Sequence, residues 1–235
     1  GDRSGDAVRL PMGVYDIIVF NRSFNDFSNI AFRGNSYETL EAYARKVETR
    51  VDTKTRVETR TIISSPDELA AATLEGFTVT EDMLGNYSQT TYGRTAPSRS
   101  SEETPDGLYH LHFVPKKLTR EVSAVLHIEG LNNIRSATCR LGGVAESIFL
   151  ATGKTSANTV TQEFTPSNPE FSPGSPFNGT LSCEFEIFGL NVIDNNNLHL
   201  DALLVDGKTE FEGDCTNVKI TENDDGTGSI TLILE

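Results

Sequence analysis

Between residues 108 and 234 the sequence is a succession of short runs in which apolar and polar residues alternate. A period of two places every second side chain on one face of a β-strand. Gly, Asn and Asp separate most of the runs, and these residues favour tight turns. Many short strands at this spacing predict a β-sandwich or barrel. The predicted strands are Leu108–Val114, Leu118–Glu129, Ile134–Leu141, Val144–Leu150, Thr159–Phe164, Thr180–Phe188, Leu198–Val205, Lys208–Glu212, Val218–Thr221 and Ser229–Leu234.

The earlier part of the sequence also has strand patterns. Val14–Phe20 is a short apolar run that predicts a buried strand, and Asn29–Arg33 and Thr61–Ile63 predict two further strands. Tyr37–Val47 is ambiguous, because its apolar residues have helical spacing whereas the residues that follow are rich in Thr and Val. We favour a strand there, with a helix as the alternative.

One short helix is predicted in this part, over Asp67–Thr73. Ser65 precedes it as a candidate N-cap, and Pro66 suits the first helical position. The predicted fold class is therefore all-β with one short helix in the first half.

The segment Gly93–Gly107 contains no large apolar side chain, so it cannot contribute to a core. It is typical of a linker or long loop. A chain of 235 residues is long enough for two ordinary domains. We therefore predict an N-terminal domain over residues 1–104 and a C-terminal domain over residues 105–235.

The composition excludes several classes of protein. The net charge is −14, which disfavours nucleic acids because their binding depends on cationic side chains. No run approaches the length of about 18 apolar residues that a membrane helix needs. Three cysteines, Cys139, Cys183 and Cys215, cannot all pair within one chain and have no zinc-binding spacing, so we expect buried free thiols.

The histidines offer one weak metal candidate. His110 and His112 share a face of the predicted strand Leu108–Val114, but no third ligand has a defined spacing, so a metal-dependent adhesin is only an alternative. His127 falls on the polar face of its strand and is expected at the surface. His199 has no evident partner in the sequence.

No catalytic constellation is visible either. Glu184 and Glu186 lie on one face of a predicted strand, about 7 Å apart, a separation that suits glycoside hydrolysis. We favour a solvent-facing pair, because an acidic protein with 34 carboxylates produces such pairs by chance. Residues 221–229 resemble a calcium loop, but Thr221 and Leu232 occupy the first and twelfth ligand positions. We predict a non-enzymatic protein without cofactor or metal.

Several motifs resemble the fimbrial anchor and fimbrillin-like lipoprotein family of Bacteroidales. The stretch Pro11-Met-Gly-Val-Tyr-Asp-Ile-Ile-Val-Phe-Asn21 is similar to a strand near the family's start. The segment from Phe113-Val-Pro115 to Glu129-Gly-Leu-Asn-Asn-Ile134 is similar to its second-domain opening. Leu141-Gly-Gly-Val-Ala145 resembles its small-residue turn, with Gly142 in place of the usual Ser. Gly179–Gly189 resembles its G-x-L-x-x-x-F-x-x-F-G strand.

The resemblance implies two transthyretin-like β-sandwich domains in an exported lipoprotein displayed on the cell outer membrane. The implied role is an anchor, tip or stalk subunit of a fimbrium, with other fimbrial subunits or a host surface ligand as partners. The family's lipid-bearing cysteine is absent from this sequence, so membrane attachment is expected only through a segment outside it. The sequence starts shortly before Val14–Phe20, and we expect that missing upstream strands leave a sheet edge open.

The resemblance also implies assembly by strand addition, in which backbone hydrogen bonds complete a partner's sheet. Ser229–Leu234 is a candidate edge or donor strand, with Ile230, Leu232 and Leu234 as its alternating apolar residues. The alternative is an ordinary internal strand. The alternative function is a carbohydrate-binding or carbohydrate-processing accessory protein that uses Glu184 and Glu186 or the His110 and His112 pair.

Overall fold

The protein is described by a computed structural model that covers residues 8–51, 59–84, 109–191, 197–215, 218–222 and 230–234. Within these ranges the chain is all-β, as predicted, and its helical segments are 3-10 turns of three or four residues. The strands of the first half are β1 (Gly13–Phe20), β2 (Ile30–Arg33), β3 (Glu41–Ala44), β4 (Lys46–Val51), β5 (Thr59–Ile63) and β6 (Ala70–Val79). The later strands are β7 (Lys116–Lys117), β8 (Arg120–Ile128), β9 (Ile134–Ala145), β10 (Ser147–Phe149), β11 (Thr159–Phe164), β12 (Asn168–Phe171), β13 (Gly179–Ile187), β14 (Leu198–Leu204), β15 (Glu210–Cys215), β16 (Val218–Glu222) and β17 (Ile230–Leu234).

The strands form two large and two small sheets. The six-stranded sheet has the order β15-β14-β9-β11-β5-β4, and the five-stranded sheet has the order β12-β13-β8-β17-β16. The small sheets have the orders β1-β6-β7 and β10-β3-β2. Most neighbouring strands are antiparallel, and the parallel pairs are β5 with β11 and β8 with β17.

The main core lies between the two large sheets. Alternate residues of β8 and β9, among them Val122, Ala124, Cys139 and Leu141, are almost fully buried and belong to one hydrophobic cluster. This is the arrangement that the period-two pattern predicts, because one face of each strand packs inward.

The first and second halves of the chain share sheets. Thr161 and Gln162 of β11 pair with Ile62 and Ile63 of β5, and β10 pairs with β3. The predicted boundary after residue 104 lies outside the described residues, and the division into domains 1–104 and 105–235 stays a prediction.

The predicted helix over Asp67–Thr73 is wrong, because these residues lead into the long strand β6. Ser65, the predicted N-cap, instead accepts a hydrogen bond from the Glu186 backbone N–H at 2.9 Å. The Asp67 carboxylate accepts one from the Asn29 backbone N–H at 2.7 Å. These contacts with residues distant in sequence outweigh the helical propensity of the alanines that follow.

One predicted strand boundary and one predicted strand are also wrong. The chain does not turn at Gly142 and Gly143 but continues as the twelve-residue strand β9, with a β-bulge that Gly143 accommodates at a φ of 77°. The described residues of Leu108–Val114 form no strand. In the ambiguous segment Tyr37–Val47, the strand preference is correct from Glu41 onward.

Candidate functional site

The strand β1 forms one edge of the sheet β1-β6-β7. It pairs antiparallel with β6, from Gly13 opposite Val79 to Phe20 opposite Ala71. Among the strands that the structure describes, β6 is its sole ladder partner. In such a pair, every second residue directs its backbone N–H and C=O away from the partner strand. The outer side of β1 therefore carries backbone groups suited to a further strand.

The β1 edge is apolar and partly exposed. None of its eight residues is fully buried, and Val14 is 69% exposed. Ile18 and Phe20 pack against the hydrophobic core, which holds one face of the strand in place. The predicted strand at Val14–Phe20 is confirmed, but its predicted burial is wrong, since apolar composition alone does not distinguish an edge strand from a central one.

Side chains hold β1 in register with β6 at two points. The Asn21 amide accepts a hydrogen bond from the Ala70 N–H at 3.0 Å and donates one to the Glu68 carbonyl at 3.1 Å. At the other point β6 has a bulge, where the Gly76 N–H donates to the Asp16 carboxylate at 2.9 Å. The bulge bends the ladder beside Asp16, and the straight part of the edge runs from Ile17 to Phe20.

The opposite edge of this sheet is formed differently. There the strand β7 contains two residues, Lys116 and Lys117, and follows Pro115. Short length, lysine and proline are the features with which proteins prevent pairing at a sheet edge. Within β1 the one charged side chain is Asp16, and its carboxylate is already bonded to Gly76. The β1 edge thus lacks the protection found on the opposite side.

The candidate assembly residues Ile230, Leu232 and Leu234 lie on β17, inside the five-stranded sheet. Their backbones pair in parallel with Val122, Ala124 and Leu126 of β8, and β16 pairs on the other side of β17. The structure therefore places this strand between two neighbours and not at an edge. Its role in assembly stays a prediction.

The histidines do not converge on one point. His110 and His112 are exposed in the segment before β7, and His127 is exposed on the polar face of β8, as its pattern predicted. Within the described ranges, no three His, Cys, Asp or Glu side chains lie close enough to hold a metal ion.

His199 has partners that the sequence did not reveal. Its Nδ1 lies 2.9 Å from the Asp214 carboxylate on β15, and its Nε2 lies 3.2 Å from Asp201 on β14. Arg140 on β9 bonds to Asp201 and, at 2.9 Å, to Glu163 on β11. These charged side chains form a network across four neighbouring strands, β15, β14, β9 and β11. Because the network depends on the order of the strands in the sheet, the spacing of these residues in the sequence does not reveal it.

The two predicted carboxylates have different surroundings. Glu184 is exposed, whereas Glu186 accepts a hydrogen bond from Lys117 Nζ at 2.7 Å. In register, Glu186 lies opposite Glu121 of β8 and Glu184 opposite Ser123. The ion pair with Lys117 engages Glu186, which is one of the two carboxylates that the carbohydrate-processing alternative needs.

The described cysteines are free thiols, and Cys139 is buried in the core. Residues 223–229 of the rejected calcium loop lie outside the described residues. The described part of the chain contains no helix with the length and apolar content to cross a bilayer.

Comparison with protein-family models matches residues 1–165 to a family described as a domain of unknown function, DUF5119. A search of curated proteins gives no match.

Solved structures similar to this chain include two from Bacteroides. One is described as a "putative adhesin" from Bacteroides ovatus ATCC 8483, with a TM-score of 0.53 and 16% identity over 87% of this chain. Another is described in the same words, from Bacteroides thetaiotaomicron VPI-5482, with a TM-score of 0.45 and 13% identity over 88% of this chain. The chain spans slightly less than two thirds of these proteins, 66% and 61%.

The first of these likenesses shows a shared fold, in agreement with the resemblance to Bacteroidales proteins found in the sequence. The family model covers residues 1–165 of 235, which is well over half of the sequence. The chain therefore belongs to the DUF5119 family.

Proposed function

We propose that this protein is a non-enzymatic, adhesin-like subunit of the cell surface, and that its β1 edge accepts a strand from a neighbouring subunit. The observation that carries the proposal is the apolar edge of β1, which pairs with β6 alone among the described strands. The Bacteroides ovatus protein with the similar fold is described as a putative adhesin, which supports the surface role.

Strand addition suits the chemistry of this edge. Ile17, Ile18 and Val19 are β-branched residues, which are favoured in strands. An incoming strand would gain backbone hydrogen bonds along β1 and would cover apolar side chains that are now partly exposed. Because Asn21 and Asp16 already fix β1 against β6, the edge needs little ordering before a partner binds.

The proposed donor is the strand β17, with Ile230, Leu232 and Leu234. The hairpin β16–β17 is the last described element, and β17 joins it to β8 through five parallel residue pairs. In the donor role β17 would exchange these pairs for a ladder with β1 of another copy. Exchange of an identical element between copies is a low-cost route to assembly.

Other parts of the proposal are supported by the sequence resemblance. They are the two transthyretin-like sandwich domains, display on the outer membrane through a lipid anchor, and a place in a fimbrium as anchor, stalk or tip. Other fimbrial subunits or a host surface ligand are the proposed partners.

Sedimentation velocity over a range of protein concentrations tests the acceptor edge. The double variant Val14→Lys/Ile17→Lys places charges on β1, and we expect it to lose concentration-dependent association. Val14→Lys alone, at an exposed position, is a milder version that should preserve the fold. The matched control is Phe171→Lys/Phe177→Lys, which replaces two exposed apolar residues in or near β12, an edge strand of the five-stranded sheet.

The control should associate like the unmodified chain. The melting temperatures of all variants should lie within a few degrees of that of the unmodified chain. Association that survives in both β1 variants, or that the control loses equally, would contradict the proposal. So would a chain that stays monomeric at every concentration.

A further inference from the structure

Phe171 and Phe177 are exposed aromatic residues of the β12–β13 hairpin. Phe171 ends β12 and is 48% exposed, and Phe177 lies in the connecting loop and is 59% exposed. Both stand outside the hydrophobic core cluster and the described residues packed against it. Two exposed rings in one hairpin do not stabilise the core, and apolar groups of this kind are typical of contact sites for a partner.

Hydrogen bonds hold the loop between β12 and β13 in place. The Ser172 N–H donates to the Asn178 carbonyl at 2.9 Å, which closes the loop. Inside it, the Ser175 N–H donates to the Ser172 carbonyl at 3.0 Å, and the Ser175 hydroxyl accepts from the Asn178 N–H at 3.1 Å. The Asn178 side-chain oxygen accepts from the Gly130 N–H of the neighbouring turn at 3.2 Å. Because the backbone next to Phe177 is fixed, the loop needs little ordering when a partner binds.

The strand β12 is an edge of the five-stranded sheet, but it is poorly suited to strand addition. It is four residues long, and Pro169 at its second position has no backbone N–H. Proline and short length prevent a regular ladder at a sheet edge. A partner at this hairpin is therefore expected to contact side chains, in contrast to a strand that pairs with β1.

The charged residues along this part of the chain are acidic. The stretch Thr155–Gly207 includes the whole hairpin and contains no Lys or Arg, although the chain has 20. Glu170, directly before Phe171, is exposed. Glu129 is also exposed, and it directly precedes Gly130, the residue that bonds to the loop. The two rings are thus flanked by carboxylates, which favour a cationic partner.

We propose that Phe171, Phe177 and the acids Glu129 and Glu170 form a docking surface for an arginine-bearing segment of a partner protein. A guanidinium can stack on an aromatic ring and also donate hydrogen bonds to carboxylates. The acidic surroundings attract a cationic partner and disfavour an acidic one. This inference goes beyond the proposed subunit role and does not depend on strand addition at β1.

Titration calorimetry tests the docking surface with an acetylated and amidated peptide in which three arginines alternate with glycines. The matched ligand has citrulline in place of arginine, which preserves the shape of the side chain and removes its charge. Maltotriose tests a neutral sugar as the occupant. The measurements are made at pH 8, where histidine is ordinarily neutral, because the register places His127 opposite Thr180, the partner of Glu170.

Phe171→Ala/Phe177→Ala removes both rings, and Phe177→Ala alone is a milder variant that changes the loop and leaves β12 unmodified. Phe211→Ala is the control, because this ring is 57% exposed on β15, an edge of the other large sheet. We expect the double variant to bind the arginine peptide about tenfold more weakly and Phe177→Ala to bind it severalfold more weakly. Phe211→Ala should keep the affinity of the unmodified chain.

Glu129→Gln/Glu170→Gln removes both charges and preserves the size of the side chains. Its control is Glu38→Gln/Glu81→Gln, at two exposed positions in the first half of the chain. The first variant should bind the arginine peptide about threefold more weakly, since exposed ion pairs contribute modestly, and the control should bind it normally.

The unmodified chain should bind the arginine peptide about tenfold more tightly than the citrulline peptide. No binding of the arginine peptide, equal affinity for the two peptides, or equal affinities of a test variant and its control would overturn the inference. Maltotriose binding that requires the two rings would also overturn it, because the rings would then serve a sugar.

Discussion

Phe164 of β11 and Phe185 of β13 stack across the core, with ring centroids 4.4 Å apart and ring planes inclined by 18°. They belong to different sheets, so this contact joins the six-stranded sheet to the five-stranded sheet. Both side chains are 6% exposed. Offset aromatic pairs in a core contribute both buried area and specific packing.

Phe185→Ala is expected to destabilise the fold by about 3–5 kcal/mol, because it removes a buried ring and leaves a cavity between the sheets. Urea unfolding followed by circular dichroism measures the change. Phe177→Ala is the control, since that ring is 59% exposed, and it should change stability by less than about 0.5 kcal/mol. Similar losses in the two variants would contradict the role assigned to the cross-sheet stack.

Gly179→Ala is expected to loosen the edge strand β12. A Cβ at Gly179 would lie 2.2 Å from the Glu170 carbonyl oxygen and 2.7 Å from a Leu131 methyl carbon, so the backbone of β12 must move. We expect a loss of about 1–3 kcal/mol and faster amide exchange in β12. Gly142→Ala is the matched control, because its Cβ would meet nothing nearer than 3.6 Å. An unchanged melting temperature in Gly179→Ala would show that the strands are not packed this closely.

Glu41 makes the stability depend on pH. Burial opposes its ionisation, but hydrogen bonds from Arg33 and Ser147 and the Arg33 charge outweigh this, and the pKa of Glu41 falls below its ordinary value of 4.5. A carboxylate with a lowered folded-state pKa stabilises the fold above the ordinary pKa and loses this effect as pH decreases.

Glu41→Gln should therefore lower the urea midpoint at pH 7, and the difference from the unmodified chain should shrink below pH 4.5. The loss at pH 7 should be about 1 kcal/mol, because Arg33 is 41% exposed and regains water. Glu38→Gln, at an exposed position nearby, is the control and should show little effect at either pH. A deficit that persists unchanged at low pH would argue against an ionised Glu41.

The thiols should react with iodoacetamide at different rates. Burial raises the pKa of Cys139 far above its ordinary range, and burial together with the Glu184 charge raises the pKa of Cys183 to about 11. Because the thiolate is the reactive form, Cys139 should remain unlabelled in the native protein at pH 8. Cys183 and Cys215, which are partly exposed, should react sooner than Cys139, although burial and the neighbouring Asp214 charge also raise the pKa of Cys215. Mass spectrometry of labelled peptides checks this order, and rapid native labelling of Cys139 would contradict its buried position.

The strands with clear alternation were predictable from the sequence. Thr159–Phe164 has the predicted bounds, and the buried and exposed residues of β8 follow the pattern that placed His127 at the surface. These predictions succeed because one face of each strand packs on a core, which period-two hydrophobicity records directly.

Features that depend on distant contacts were not predictable. Asp67–Thr73 has helical signals, yet Ser65 bonds to Glu186 of β13, Asp67 bonds to Asn29 just before β2, and Ala71 and Ala72 join the ladder with β1. Asn168–Phe171 forms an edge strand despite Pro169, because an edge position tolerates a residue without a backbone N–H. The family resemblance led us to expect an open sheet edge, but the sequence did not identify β1 as that edge, for the same reason. Which side of β1 has no partner among the described strands depends on strand order, and no local pattern in residues 13–20 encodes it.

The most direct test of the open β1 edge is residue-level hydrogen exchange in the monomer, with and without a synthetic peptide of residues 229–235. Amides of Ile17 to Phe20 that do not face β6 should exchange rapidly in the free monomer and become protected when the peptide binds. Protection of all these amides in the free monomer, or no added protection at saturating peptide, would contradict the account.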